Sequence, residues 1–331
     1  MPLLDVFIPL LADEHETFWF PKQASTFAPE IDSFFQFLLW LSVIFFVLIV
    51  VPMAYFVWKY RDRPGYKGDP RALHNTPLEI TWTVIPTFIV IYIFIRGTYG
   101  YLDMARPPSD TLDINVVARK WSWQFTYPNG GVSDEMHLPI NRPVRLIMRS
   151  EEAEGTYPVL HSLFVPAFRA KQDVVPGRYN VMWFNPTLEG RYDLFCTEYC
   201  GDNHSRMITK VEVSNKETFD EWVAKINQPP TEDDKHGEWL YKRLGCKGCH
   251  SVDGSKVVGP SFKGTWGKDV QFAGGKGSGS FDENYVRESI LNPQAKARSG
   301  YESASAMPSY QGRVKDADID KIIAFMKSLK D

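Results

Sequence analysis

The pattern of apolar and polar positions divides this chain of 331 residues into three kinds of segment. Ser33 to Trp58 is a run of 26 residues without a charge. At about 1.5 Å per residue it is long enough to cross a bilayer. Its Phe, Leu, Ile and Val fall on every side of a helix, which argues against a core helix of a soluble protein. A second run, Ile80 to Ile95, is shorter and needs Leu78 and Gly97–Leu102 to span. From Leu112 to Val213 the pattern changes to short β-rich runs. Examples are Leu112–Val117, Gln124–Tyr127, Val144–Arg149, Val181–Phe184 and Ile208–Val213. Pro128-Asn129-Gly130-Gly131 and Pro176-Gly177 are turn signals between such runs, so this part predicts an all-β sandwich or barrel. Asn227–Asp234 reads as a linker. Beyond it, Gly237–Leu244 predicts a helix. Ile319, Ile322, Ile323 and Met326 form an apolar stripe at helical spacing, predicting a terminal helix with Met326 in its core.

Charge orients the membrane part. Lys59, Arg61, Arg63, Lys67 and Arg71 lie between the two apolar runs, and the positive-inside rule makes that loop cytoplasmic. A helical hairpin then puts both termini, and residues 103–331, on the periplasmic or outer side. The segment Leu3–Ala12 is apolar, but no positive region precedes it and Asp5 interrupts it, so residues 1–29 read as an outward-facing tail and not a cleaved signal. Thr76-Pro77-Leu78-Glu79 has the form of a capping box with Pro at the first helical position. A carboxylate such as Glu79, at the cytoplasmic edge of a membrane helix, is also placed to admit protons.

The net charge of −3 gives no reason to expect a nucleic-acid partner. It hides an opposition. Residues 107–235 carry 14 Lys/Arg and 19 Asp/Glu, a net of −5, whereas residues 236–331 carry 15 and 11, a net of +4. Two domains of opposite charge on a short tether are expected to dock transiently on one another.

The four cysteines, Cys196, Cys200, Cys246 and Cys249, could form two disulfides in an exported protein. Their spacing argues otherwise, since each pair sits beside a histidine. Cys196-Thr197-Glu198-Tyr199-Cys200-Gly201-Asp202-Asn203-His204-Ser205-Arg206-Met207 follows His161 by 35 residues. One Cys, two His and a weak Met on a β-sandwich would make a mononuclear blue-copper site. A second thiolate in the same loop can bridge two coppers and leave one His for each. A Met sulfur and a backbone carbonyl fill the remaining positions. Sharing one electron over two bridged metals keeps reorganisation small, which suits rapid electron transfer. A zinc site would need a different spacing, because His161 precedes the cysteines.

This loop, His161-Ser162-Leu163-Phe164-Val165-Pro166, Trp121-Ser122-Trp123 and Glu79-Ile80-Thr81-Trp82-Thr83-Val84-Ile85-Pro86 resemble subunit II of cytochrome c oxidase over roughly residues 30–215. The resemblance implies a binuclear CuA centre held by His161, Cys196, Cys200, His204, Met207 and the Glu198 carbonyl. It implies that the Glu198 carboxylate reaches a magnesium ion shared with subunit I. It also implies that Glu79 matches the proton-channel entrance, and that Trp121 accepts electrons from cytochrome c. Read without the family, Trp121 and Trp123 are aromatics at alternating strand positions, one of them core.

Cys246-Lys247-Gly248-Cys249-His250 is the attachment signature for a covalent c-type haem, with His250 on the iron. The sixth ligand should be a methionine further along. Met326 is assigned to the core by its stripe, and Met307, in a loop, is the candidate. Gly259-Pro260 resembles the class I cytochrome c segment whose carbonyl orients the haem histidine. Together these features resemble caa3-type haem–copper oxidases, in which cytochrome c is fused to subunit II.

The predicted organisation is an outward tail (1–29), a transmembrane α-helical hairpin (30–106), an all-β cupredoxin-like CuA domain (107–215), a connecting segment and linker (216–235) and an all-α class I cytochrome c domain (236–331). The implied role is subunit II of a respiratory cytochrome c oxidase in a bacterial inner membrane, working with subunit I and other subunits. Electrons pass from an external donor, such as a cytochrome or a quinol-oxidising complex, toward subunit I, which reduces oxygen to water with proton pumping. Three rivals fit less well. Nitrous-oxide reductase needs a second, histidine-rich copper cluster, which His15, His74, His137 and His236 are too scattered to build. A quinol oxidase subunit II would lack the intact Cys/His/Met set. A pure carrier or anchor would have no oxidase partner.

Overall fold

The computed structural model describes residues 19–65, 74–152, 157–301 and 307–329. The readings of residues 1–18, of His15 and of Lys67 and Arg71 lie outside the described residues. Two compact units are distinguished, one holding the long helices and one holding the remainder of the chain.

The first unit is an antiparallel pair of helices, α1 (Ala28–Lys59) and α2 (Thr76–Ala105). Apolar side chains such as Phe46, Leu48, Ile49, Phe88 and Phe94 point outward, as a lipid-facing helix requires. The pair is tied by an ion pair of Arg96 with Glu30 at 2.6 Å and by an edge-on contact of Phe37 with Tyr92. The helix start differs from the sequence expectation. Asn75, and not Thr76, is the N-cap: its side chain accepts from the Leu78 N–H, and its own N–H donates to Glu79 at 3.2 Å. Asn is among the strongest N-cap residues, and Pro77 fits the first turn equally well from the neighbouring position.

The second unit contains a sandwich of two five-stranded sheets. One is built from β1 (Leu112–Arg119), β2 (Ser122–Thr126), β3 (Val132–Ser133), β5 (Val144–Ser150) and β8 (Asn180–Phe184), in the order β3-β2-β1-β5-β8. The other contains β4 (Met136–Pro139), β6 (His161–Val165), β7 (Ala170–Val174), β9 (Gly190–Cys196) and β10 (Ile208–Ser214), in the order β4-β10-β9-β6-β7. Alternation along β5, where Val144, Leu146 and Met148 are fully buried, sends one face of the sheet into the core. Phe125, Leu138, Leu163, Phe184 and Leu194 fill the space between the sheets.

Two segments extend the sandwich. Before the membrane helices, Ala24 exchanges backbone hydrogen bonds with Ala167 and Thr187, and the Ser25 hydroxyl donates to the Phe168 carbonyl at 2.8 Å. After β10, helix α3 (Lys216–Lys225) packs Phe219 and Trp222 on Tyr127, while Trp222 stacks on His137 at 3.9 Å. Thus much of the predicted connecting segment is a helix belonging to the β domain.

The last part contains α4 (Asp233–Arg243), α5 (Glu283–Leu291), α6 (Asp316–Ser328) and a small ribbon, β11 (Asp269–Gln271) with β12 (Ser278–Ser280). Helix α4 begins inside the predicted linker, because Asp233 and Asp234 complement the positive end of the helix. Gly237 lets α4 cross α6 closely: a Cβ there would stand 2.0 Å from the Lys321 carbonyl oxygen. Ile319, Ile322, Ile323 and Met326 are all buried, with Leu240, Tyr241 and Phe325.

Candidate functional site

Two sites emerge from this frame. The first lies where β9 leaves its sheet. His161, at the start of neighbouring β6, is fully buried, and Leu163 pairs with Cys196 across the ladder. The loop after Cys196 returns Cys200, His204 and Met207 to the same place before β10 begins. Cys196 Sγ and Cys200 Sγ stand 3.8 Å apart. His161 Nδ1 lies 3.8 Å from Cys196 Sγ, and His204 Nδ1 lies 3.5 Å from Cys200 Sγ. Met207 Sδ is 3.8 Å from Cys200 Sγ, and the Glu198 carbonyl oxygen is 3.3 Å from Cys196 Sγ. The six predicted ligand groups therefore converge, each thiol with its own imidazole.

The donor set fits metal rather than hydrogen bonding. His161 Nε2 is buried with no hydrogen-bond partner, although Nδ1 is turned toward sulfur. Both cysteines are free and buried, and their separation is nearly twice a disulfide bond of about 2.05 Å. The hydrogen bond from the Cys200 thiol holds Cys196 well below the usual thiol range, while the same bond pushes Cys200 up.

Trp121 stands at the turn before β2, half-buried, and Trp123 is the core member of the pair, 3 % exposed. Gly201 of the cysteine loop lies against the Trp121 indole, where a Cβ would be 3.0 Å from Cζ2. The Glu198 side chain is partly exposed. Glu79 belongs to the helical unit, in the first turn of α2, 3.9 Å from His74 Nδ1.

The second site surrounds the haem-attachment motif. Cys246–Gly248 forms a 3₁₀ turn after α4, with Cys249 and His250 following. A cavity of about 430 Å³ opens there, and Cys246, Cys249, His250 and Met307 all line it. His250 Nδ1 is 2.8 Å from the Pro260 carbonyl oxygen. A carbonyl can only accept, so Nδ1 carries the proton and Nε2 is left as the ligating atom. Burial pushes the imidazole below its ordinary value, only partly offset by Pro260, which keeps it neutral. Gly259 is required by this contact, since a Cβ would be 2.6 Å from His250 Cε1. Burial raises the thiols of Cys246 and Cys249 to about 12 and about 11, so both stay protonated and inert until attached. The apolar walls, including Phe281, Val286, Ile322 and Met326, suit a large planar macrocycle.

The two sites approach each other through polar contacts. Lys247 Nζ pairs with Asp134 at 2.9 Å, and Gln124 Nε2 donates to the Arg243 carbonyl at 3.0 Å. These residues were not singled out in the sequence, where charge totals say nothing about patches.

Three protein-family models match the chain. They are the transmembrane domain of cytochrome c oxidase subunit II over residues 13–97, its periplasmic domain over residues 129–214 and cytochrome c over residues 235–330. The cytochrome c oxidase subunit 2 of Alkalihalophilus pseudofirmus is 31 % identical over 303 residues, covering 87 % of this chain and 83 % of that protein. The corresponding protein of Thermostichus vulcanus is 31 % identical over 257 residues, covering 61 % of this chain and 76 % of its own. Among solved structures, the periplasmic domain of subunit II of the Bradyrhizobium japonicum oxidase is 27 % identical, with a TM-score of 0.34, covering 37 % of this chain and 98 % of that one. With two helices able to span a membrane, a β domain carrying a thiolate-pair site and a cytochrome c domain, the chain belongs to the cytochrome c oxidase subunit II family, in the form fused to cytochrome c.

Proposed function

We propose that this chain receives electrons from an external donor at its cytochrome domain and hands them, through the cysteine loop of its β domain, to the oxygen-reducing subunit I. The observation that carries this reading is the convergence of His161, Cys196, Cys200 and Met207, all buried, with the half-buried His204. When bound, a copper pair and a covalent haem supply one-electron carriage. The chain's own residues hold, orient and shield them.

Cys196, Cys200, His161, His204, Met207 and the Glu198 carbonyl would hold the copper pair of the CuA centre. The β-sandwich fixes these donors before metal arrives, so little needs to move when the charge changes. Cys246 and Cys249 would form the haem thioethers, His250 the proximal ligand and Met307 the sixth. Trp121, against the cysteine loop, serves as the electron acceptor on the β domain. The Glu198 carboxylate would reach magnesium shared with subunit I, and Glu79 would admit protons at the cytoplasmic end of α2. Lys59, Arg61 and Arg63 support a cytoplasmic hairpin loop, which puts both redox domains on the outer side of a bacterial inner membrane.

Metal and haem analysis of the intact detergent-solubilised complex tests this reading. Two coppers and one covalent haem per chain, co-purifying with a subunit carrying non-covalent haem, are expected. A copper-free chain, or one that purifies without such a subunit, overturns it.

A further inference from the structure

We infer that Lys247 and Gly248, the two residues between the haem-attachment cysteines, form the docking contact that seats the cytochrome domain on Trp121 of its own β domain. This rests on the relay reading above and adds to it where the transfer occurs. Lys247 lies on the motif's exposed edge and pairs with Asp134, whose side chain is only 19 % exposed. Gly248 faces the strand start: a Cβ there would stand 3.2 Å from Ser122 Cβ and 3.5 Å from the Trp121 carbonyl carbon. A Cβ here would be tighter than an ordinary contact, so Ser122 would have to give by a few tenths of an ångström, and a branched side chain would need more. A glycine from each redox site approaches Trp121, Gly248 at its backbone and Gly201 of the cysteine loop at its indole, and the indole Nε1 is buried with no hydrogen-bond partner. Gln124 to the Arg243 carbonyl, and Arg206 to Ser255 at 3.4 Å, hold the rim of the same contact.

The chemistry of the contact explains how it releases. Among the described residues, the apolar core cluster of the cytochrome domain is built from residues of that domain. What joins them here is an ion pair and hydrogen bonds at a polar rim, which are individually weak and salt-screened. A linker of a few residues keeps the partner at an effective concentration of order millimolar, enough to make weak contacts suffice. With the chain's own cytochrome domain seated beside Trp121, an external donor docks on that domain.

The test uses the intact complex with Lys247→Glu, Gly248→Val and the charge swap Lys247→Glu/Asp134→Lys. Covalent haem content and the copper signal are checked first in each variant. Two quantities are read: hydrogen exchange of the amides over residues 121–124, and the rate at which electrons leave photoreduced haem for the copper site. Lys247→Glu and Gly248→Val should each loosen exchange protection and slow transfer about tenfold, as like charge or a clash depletes the docked population. The swap should restore both readouts, while Gly248→Val should be insensitive to it. Wild-type exchange and rate in both single variants, or failure of the swap to rescue Lys247→Glu, overturns the docking assignment while leaving the relay intact. Absence of any haem-to-copper transfer in the wild type would instead overturn the relay, and this inference with it.

Discussion

Cys196 and Cys200 hold their sulfurs 3.8 Å apart, each with an imidazole nitrogen within 3.8 Å. A gap of that size is too wide for a disulfide bond of about 2.05 Å. After Cys200 the loop turns at Gly201, whose φ is +116° and whose carbonyl accepts from the His204 N–H at 3.0 Å, and this turn brings His204 back to Cys200.

Removing one bridge should abolish the pair. Cys196→Ser is expected to eliminate the two-copper signal and electron transfer to subunit I, with the hairpin still inserted and the haem still attached. Copper content, haem stain and membrane fractionation of the variant check this. Retention of a two-copper spectrum would contradict the assignment.

The two methionines of the cytochrome domain separate ligand from core. Met307→Ala should open the sixth position, lower the reduction potential and leave the fold near its original stability, since a thioether ligand favours ferrous iron. Met326→Ala removes a side chain that is 3 % exposed, and should cost about 2–5 kcal/mol of domain stability with little spectral change. Haem spectra and melting of both variants distinguish the roles, and the reverse pattern would exchange the assignments.

The long apolar runs and the β alternation were readable because each is a local pattern, and the two cysteine pairs stood out because each sits beside a histidine in the sequence. What the sequence did not reveal depends on contacts between distant segments. The hydrogen bonds of Ala24 and Ser25 to the β domain carry no periodic signature in a polar stretch. Helix α3 was absorbed into a linker because its apolar face is small, and Phe219 and Trp222 gain meaning only when Tyr127 and His137 are beneath them. The N-cap shifted by one residue because Asn75 and Thr76 are both good caps. Lys247 is an ordinary exposed lysine until Asp134 is seen opposite it.

The packing of α3 gives a pH dependence. Burial beneath Trp222 lowers the imidazole of His137 from 6.5 to about 4, with Asp134 opposing the shift and Arg191 adding to it. The folded pKa is depressed for a base, so the unfolded chain takes up the proton first. Stability is then full above about pH 6.5 and falls as pH drops toward 4, by about 2 kcal/mol at pH 5 from this residue. Melting of the wild type and His137→Phe across that range should show a flatter profile in the variant. Parallel profiles would mean that His137 does not titrate in this way.

Tyr127 ties the same region together. Its hydroxyl donates to the His137 carbonyl at 3.0 Å and accepts from the His137 N–H at 2.7 Å. Tyr127→Phe should leave that buried backbone pair unsatisfied and cost about 1–3 kcal/mol, without altering copper or haem content. Denaturation followed by tryptophan fluorescence reads the loss. A variant as stable as the wild type would show that water replaces the hydroxyl.

The most direct measurement is electron paramagnetic resonance of the oxidised intact complex, with copper counted per chain. Two coppers and a mixed-valence signal delocalised equally over both metals are the expected result, because the site brings together two thiols, from Cys196 and Cys200, and two imidazoles, from His161 and His204. A spectrum of a single isolated copper, or of no copper in a protein with both cysteines intact, would contradict the two-copper assignment and with it the route proposed for electrons through this chain.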